Sequence, residues 1–217
     1  MKRFLVFSGS DAAGKSTQIG LLVKTLRSKG YSTYDLWARG GYTPLFTALK
    51  ALFFGVPHQR TSSHNGYALQ REQILSKSWV RTLWLAMAIW DMIFLYGFWL
   101  RLVKLTGRAI ICDRYILDTQ IDFRLNFPDI QVESWWSWKW LAGLSPEPEV
   151  AFLMLIPVSE SIRRSEIKRE PFRDPAEKLE RRLKQYQELA SQNYWQILDG
   201  RESIQSLAKR IEEEVFS

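Results

Sequence analysis

Cysteine occurs once in the 217 residues, at Cys112, and histidine twice, at His58 and His64. A lone cysteine excludes an internal disulfide and favours a reducing compartment, so a cytoplasmic protein is expected. Cys112 closes the apolar run Ala109-Ile110-Ile111 and reads as a buried structural thiol. Neither histidine has cysteine or carboxylate neighbours at metal spacing, so both read as surface side chains, not ligands. Internal repeats and low-complexity tails are lacking too, which excludes solenoids and disordered arrays. Met1-Lys2-Arg3-Phe4 runs straight into an apolar segment, so no cleavable signal or transit peptide is expected. Acidic residues are outnumbered, 23 against 30 basic, giving +7 and a pI near 9.5. That balance suits a nucleotide, but also nucleic acid or an anionic membrane, and does not choose among them. The basic residues are scattered or gathered near Lys168 and Arg169, not laid along one face, so no nucleic-acid partner is expected.

What is present is centred on Gly9-Ser10-Asp11-Ala12-Ala13-Gly14-Lys15-Ser16-Thr17. Apolar Phe4-Leu5-Val6-Phe7 precedes it and an amphipathic run, Gln18 to Arg27, follows. A strand, a glycine-rich loop and a helix are the context that a phosphate-binding P-loop requires. Gly9 and Gly14 let the backbone curl so that successive N–H groups face phosphate oxygens. The positive end of the new helix adds to them. Lys15 has the reach for the β and γ phosphates, and the Ser16 hydroxyl is a Mg²⁺ ligand in such loops. Gly9, Ser10, Ala12, Ala13, Gly14, Lys15, Ser16 and Thr17 are therefore the expected phosphate-binding residues of a nucleotide cofactor.

Further on, apolar and aromatic runs alternate with helical patterns. Strands are expected at Tyr31 to Ala38, Ala109 to Cys112, Val150 to Ile156 and Tyr194 to Leu198. Helices are expected at Thr43 to Phe54, Tyr67 to Val80, Ile116 to Asn126, Ser159 to Ile167, Ala176 to Gln192 and Ser203 to Phe216. The expected fold is an α/β P-loop architecture: a doubly wound parallel sheet of about five strands, flanked by helices, with a short arginine-rich lid over about 163–175. The whole of 1–217 reads as one domain. In such sheets ligands sit at the carboxyl ends of the strands. Leu83 to Leu100 is an 18-residue apolar run with one charge, Asp91, between Arg81 and Arg101. A central Asp costs about 3 kcal/mol in a spanning helix. The run therefore reads as buried core and pocket wall, with membrane-surface contact as the alternative. Trp135, Trp136, Trp138 and Trp140 form an aromatic flank read as core or dimer interface.

These motifs, in this order, resemble the thymidylate kinases, P-loop enzymes that move the γ-phosphoryl of ATP onto a nucleoside monophosphate. The matching stretches are Phe7 to Gln18, Ile110-Ile111-Cys112-Asp113-Arg114-Tyr115, Pro146 to Val158 with Arg163 and the arginine-rich loop, and Tyr186 to Ala190 with Ile197-Leu198-Asp199-Gly200. The resemblance implies ATP and Mg²⁺ as cofactors, a nucleotide substrate and a homodimer. It gives Mg²⁺ to Ser16 and Asp113, the acceptor phosphate to Arg114 and Arg39, and the acceptor sugar hydroxyl to Asp11. The alternative for Arg114 is a structural ion pair with Asp113. With Ala12 and Ala13 in the loop, the catalytic arginine falls to the lid, at Arg169 or Arg173. The chain departs from the family where an arginine would read thymine, since no Arg or Lys lies between Arg81 and Arg101. The glutamate and proline expected after Arg39 are missing. Asp118 and Asp122 fill the family's small hydroxyl and aromatic positions. dTMP is the first candidate acceptor. The alternative is a less polar phosphate acceptor used at or near a membrane surface, in a pocket of Trp84, Trp90 and Phe94 with Asp91 as polar reader.

Overall fold

A computed structural model describes residues 1–37, 77–168, 174–189 and 194–217. The helix expected at Thr43 to Phe54, both histidines, Arg39, Arg169 and Arg173 lie outside the described residues. The chain divides into two compact units, one of residues 1–39, 100–131 and 146–217, the other of 40–99 and 132–145.

The first unit holds a five-stranded sheet with every pair parallel. Its strands are β1 (Phe4–Gly9), β2 (Thr33–Trp37), β3 (Ala109–Asp113), β4 (Val150–Leu155) and β5 (Trp195–Asp199), in the order β2-β3-β1-β4-β5. Every residue of the central strand β1 is buried, which follows from helices covering both sheet faces. On one face α1 (Lys15–Ser28) contributes Leu22 and Leu26, while Leu207, Ile211 and Val215 come from the last helix, Ile204–Phe216. They meet Leu5, Phe7, Ile111 and Phe152 in one core cluster. The spacing of four in the last helix fixes which face it buries, and each such side chain contributes about 2 kcal/mol. Its Ser203 caps it by accepting from Ser206 N at 3.1 Å. The other face is covered by two helices, Ile116–Asn126 and Ala176–Leu189, which bring Leu117, Ile121 and Tyr186 against Leu153. A further helix, Val158–Ile167, follows β4. Cys112 is fully buried, and burial pushes its thiol well above the usual range, as the apolar run implied.

In the second unit the apolar run is helical from Ser78 to Met92, then π-helical from Ile93 to Trp99, before the helix Leu100–Leu105. The whole stretch Ser78–Leu105 is long and apolar enough to cross a membrane by length and composition, and 44% of its most apolar window is buried. The helix is therefore buried along one face and open along another, not buried all round as expected. Asp91, Ala88 and Met92 are buried, with Trp84, seven residues before Asp91, on the same helix flank. Trp90 and Phe94 are half exposed on another face and do not share a wall with Asp91. Trp136 and Trp140, on the helix Trp136–Leu144, are also exposed rather than core, whereas Trp138 is buried. Trp90 meets Trp136 and Trp140 edge-on, with centroids 5.6 and 6.4 Å away. Gly97 lets the π-helical stretch approach, since a Cβ there would lie 3.0 Å from Leu144 Cβ.

Candidate active site

The loop between β1 and α1 has the backbone that the glycine spacing demands. Gly9 (φ 126°) and Gly14 (φ 99°) occupy conformations that side chains avoid, and Ala12 (φ 58°) is left-handed. A Cβ on Gly9 would lie 2.0 Å from the Met154 carbonyl oxygen, so only glycine fits beside β4. Gly14 is the N-cap of α1 and supplies no side-chain acceptor, which leaves the first-turn amides of the helix for an anion. Lys15 is buried and donates from Nζ to Gly9 O (2.9 Å) and Ser10 O (2.7 Å). Burial, then the Arg114 charge, lowers its ammonium to about 8. The loop is braced from outside. Ser161 Oγ donates to Asp11 O at 2.9 Å, and Arg164 Nη1 donates to Gly200 O (2.9 Å) and Ala12 O (3.4 Å). Gly200 allows this closeness, because a Cβ there would lie 2.7 Å from Ala13 O.

The β1–β3 register puts Phe7 opposite Asp113, so the end of β3 arrives beside the loop. Ser16 Oγ donates to Asp113 Oδ2 at 3.4 Å. Burial raises the Asp113 carboxyl above its ordinary value, partly offset by Lys15 and Arg114. These two hard oxygens are the donor set that Mg²⁺ takes alongside phosphate oxygens.

Arg114 follows in a left-handed conformation (φ 78°), strained for a residue with a Cβ, with its N–H donating to Phe7 O at 2.8 Å. Its side chain is buried. Nη2 meets Asp11 Oδ1 at 2.5 Å, and Nη1 donates to Asp118 Oδ1 at 3.1 Å and Tyr186 Oη at 3.2 Å. Its carboxylate partners are therefore Asp11 and Asp118, and the alternative of a pair with Asp113 is replaced. Asp118 is wholly buried and saturated: Ser8 Oγ (2.6 Å), Tyr186 Oη (2.6 Å) and Tyr115 N (3.0 Å) also donate to it. Burial first, and then Asp118, push the Tyr186 hydroxyl well above its usual range, so it stays a donor. Arg182 lies next to this cluster, bonded to Asp122 at 2.5 Å and Asp174 at 3.1 Å.

A phosphate cradle thus sits at one sheet edge with an arginine tied into a buried carboxylate network. A family model described as thymidylate kinase matches residues 7–211. The chain belongs to the thymidylate kinase family. It is 26% identical to a protein named thymidylate kinase from Bartonella henselae, over 96% of this chain and 92% of that one. As a thymidylate kinase family member it is a nucleotide kinase, a phosphotransferase, on the α/β P-loop fold expected from the motifs.

Of the residues singled out from the sequence of this family member, the structure brings together the 9–17 loop, Asp11, Lys15, Ser16, Asp113 and Arg114. Asp91 belongs to the other compact unit. Sequence reasoning missed Ser8, Ser161, Arg164 and Arg182, and gave Tyr186 only a packing role. Arg182 did carry a signal. It stands three residues after Leu179 and four before Tyr186, on the apolar stripe of its helix, where a charge needs buried partners.

Proposed function

We propose that this chain transfers the γ-phosphoryl of ATP to a nucleoside monophosphate, with dTMP as the first candidate acceptor. The observation that carries the reading is the shared sheet edge: Phe7 pairs with Asp113, so the Lys15 cradle and Arg114 stand side by side. Lys15 leaves the carbonyls of Gly9 and Ser10 for phosphate oxygens of the nucleotide, and the first-turn amides of α1 complete the cradle. Ser16 and Asp113 would hold Mg²⁺, which neutralises charge on the β and γ oxygens when bound. Arg114 presents a guanidinium fork to the acceptor phosphate, taking it in place of Asp11. Asp118, fixed by Ser8, Tyr115 N and Tyr186, holds the other side of that fork in position. The acceptor phosphate is already ionised at neutral pH, so in-line attack needs no strong base.

In this reading Arg39 is the second acceptor-phosphate ligand, and Arg169 or Arg173 closes over the transferred group. Asp11 and Arg39 reach the acceptor, and the working place is the cytoplasm. The exposed Trp90, Phe94, Trp136 and Trp140 support a homodimer, with a membrane surface as the second reading for the same side chains. Sedimentation of the pure chain tests the first, and flotation with anionic liposomes at moderate salt tests the second. The catalytic reading is tested by ADP release with ATP-Mg²⁺ against all nucleoside monophosphates. One acceptor should stimulate release strongly, and the Lys15→Ala variant should release none. No stimulation by any of them would overturn it.

A further inference from the structure

Arg182 is 1% exposed, yet its Nε has no hydrogen-bond partner among the described residues. Its other two nitrogens are committed, Nη1 to Asp122 Oδ1 at 2.5 Å and Nη2 to Asp174 Oδ2 at 3.1 Å. An orphaned N–H at that depth is costly and calls for a partner in some state of the protein. The polar group that it faces is Asp11 Oδ2, at 3.9 Å. The other oxygen of the same carboxylate, Oδ1, is held by Arg114 Nη2 at 2.5 Å. Asp11 therefore stands between two buried arginines, bonded to one and about an ångström short of the other.

That arrangement meets a need of the proposed reaction. An acceptor phosphate that takes Arg114 Nη2 must displace Asp11, and leaves a carboxylate beside a dianion. We infer that Arg182 is a positioning residue that receives Asp11: as the acceptor phosphate takes Arg114, the carboxylate moves onto Arg182 Nε. The inference rests on the acceptor reading given above. Three features favour the hand-over. Asp122 and Asp174 clamp the Arg182 head, so Nε cannot turn to Asp11 and the carboxylate must make the move. The Asp11 side chain is 28% exposed, whereas the Arg182 side chain is almost wholly buried, so the carboxylate is the less enclosed of the two groups. Tyr186, one turn along the same helix, binds Asp118 and through it the far side of Arg114, so both arginines share one rigid frame.

The test is a cycle of variants with dTMP and ATP dissociation constants measured separately. Arg182→Lys keeps the charge but removes Nε–H. It should weaken dTMP about tenfold and leave ATP within twofold. In an Asp11→Ala background, where no carboxylate needs a receiver, the same substitution should change dTMP affinity less than twofold. Should Arg182→Lys not fold, the paired change Arg182→Gln with Asp122→Asn removes the guanidinium Nε–H together with one positive and one negative charge, and is read the same way. Equal losses for both ligands, an unchanged dTMP constant, or a loss that persists without Asp11 would each overturn the hand-over. Arg114→Lys separates the two claims. A tenfold loss of dTMP there, with additive behaviour at 11 and 182, would sink the hand-over alone. No loss there, or no dTMP binding by the unaltered chain, would sink the acceptor reading and the hand-over with it.

Discussion

Replacing Lys15 by Met should remove phosphoryl transfer and at the same time stabilise the ligand-free chain at neutral pH. Lys15 is buried, and its ammonium falls from 10.5 to about 8 because burial, then Arg114, disfavours the charge. A shift of this size corresponds to about 3 kcal/mol of destabilisation at pH 7, at 1.4 kcal/mol per unit. Methionine has a similar shape but loses the bonds from Nζ to Gly9 O and Ser10 O, at about 1 kcal/mol each. The net gain is about 1–2 kcal/mol, or roughly 2–8 °C in Tm for a chain of this size. The sign with pH follows from linkage. The folded chain binds fewer protons than the unfolded one between about 8 and 10.5, so its stability rises with pH across that window. Below about 8 the penalty is present in full. Lys15→Met lacks it, so the two melting curves should approach each other and cross as pH climbs from 8 to 10.5. Thermal unfolding by circular dichroism at pH 7, 8, 9 and 10.5 reads this directly. A variant less stable at pH 7, by an amount that does not change with pH, would refute the reasoning.

Three further changes probe other parts of the site. Gly9→Ala puts a Cβ 2.0 Å from the Met154 carbonyl at φ 126°, and should cost about 3 kcal/mol or more, a Tm loss on the order of 10 °C; calorimetry checks it, and an unchanged Tm contradicts it. Asp118→Ala leaves Arg114 buried without its fixed partner and should cost about 3–5 kcal/mol, read by urea unfolding. Arg114→Ala should lower kcat/KM for the acceptor by about a hundredfold while ATP binding stays within a few-fold. Equal losses for both substrates would count against the acceptor assignment.

Local signals made the frame legible. Gly9 and Gly14 at their spacing, the apolar run before them and the helix after them describe the cradle without any tertiary information. The alternation of apolar runs and helical stripes gave five strands within a residue or two of their observed bounds. Asp113 and Arg114 were legible because a strand end delivers them. The carboxylate network was not, since Ser8, Asp118, Arg182 and Tyr186 are up to 178 positions apart in the sequence and meet only through the fold. Arg181 and Arg182 are alike in the sequence, yet Arg181 pairs with Glu177 in solvent while Arg182 is buried, a difference set by helix phase alone. The run from Leu83 to Leu100 misled because composition does not tell which face is covered. Asp91 ended on the buried side and Trp90, its neighbour, on the open one.

Whether Lys15 and Arg114 serve one phosphoryl transfer is tested most directly by product formation. The unaltered chain, given ATP-Mg²⁺ and dTMP, should form ADP and dTDP in equal amounts, and Arg114→Ala should lose this at sub-saturating dTMP while still binding ATP. ADP formed at the same rate with and without every nucleoside monophosphate, or formed equally well by the Arg114 variant, would contradict the account.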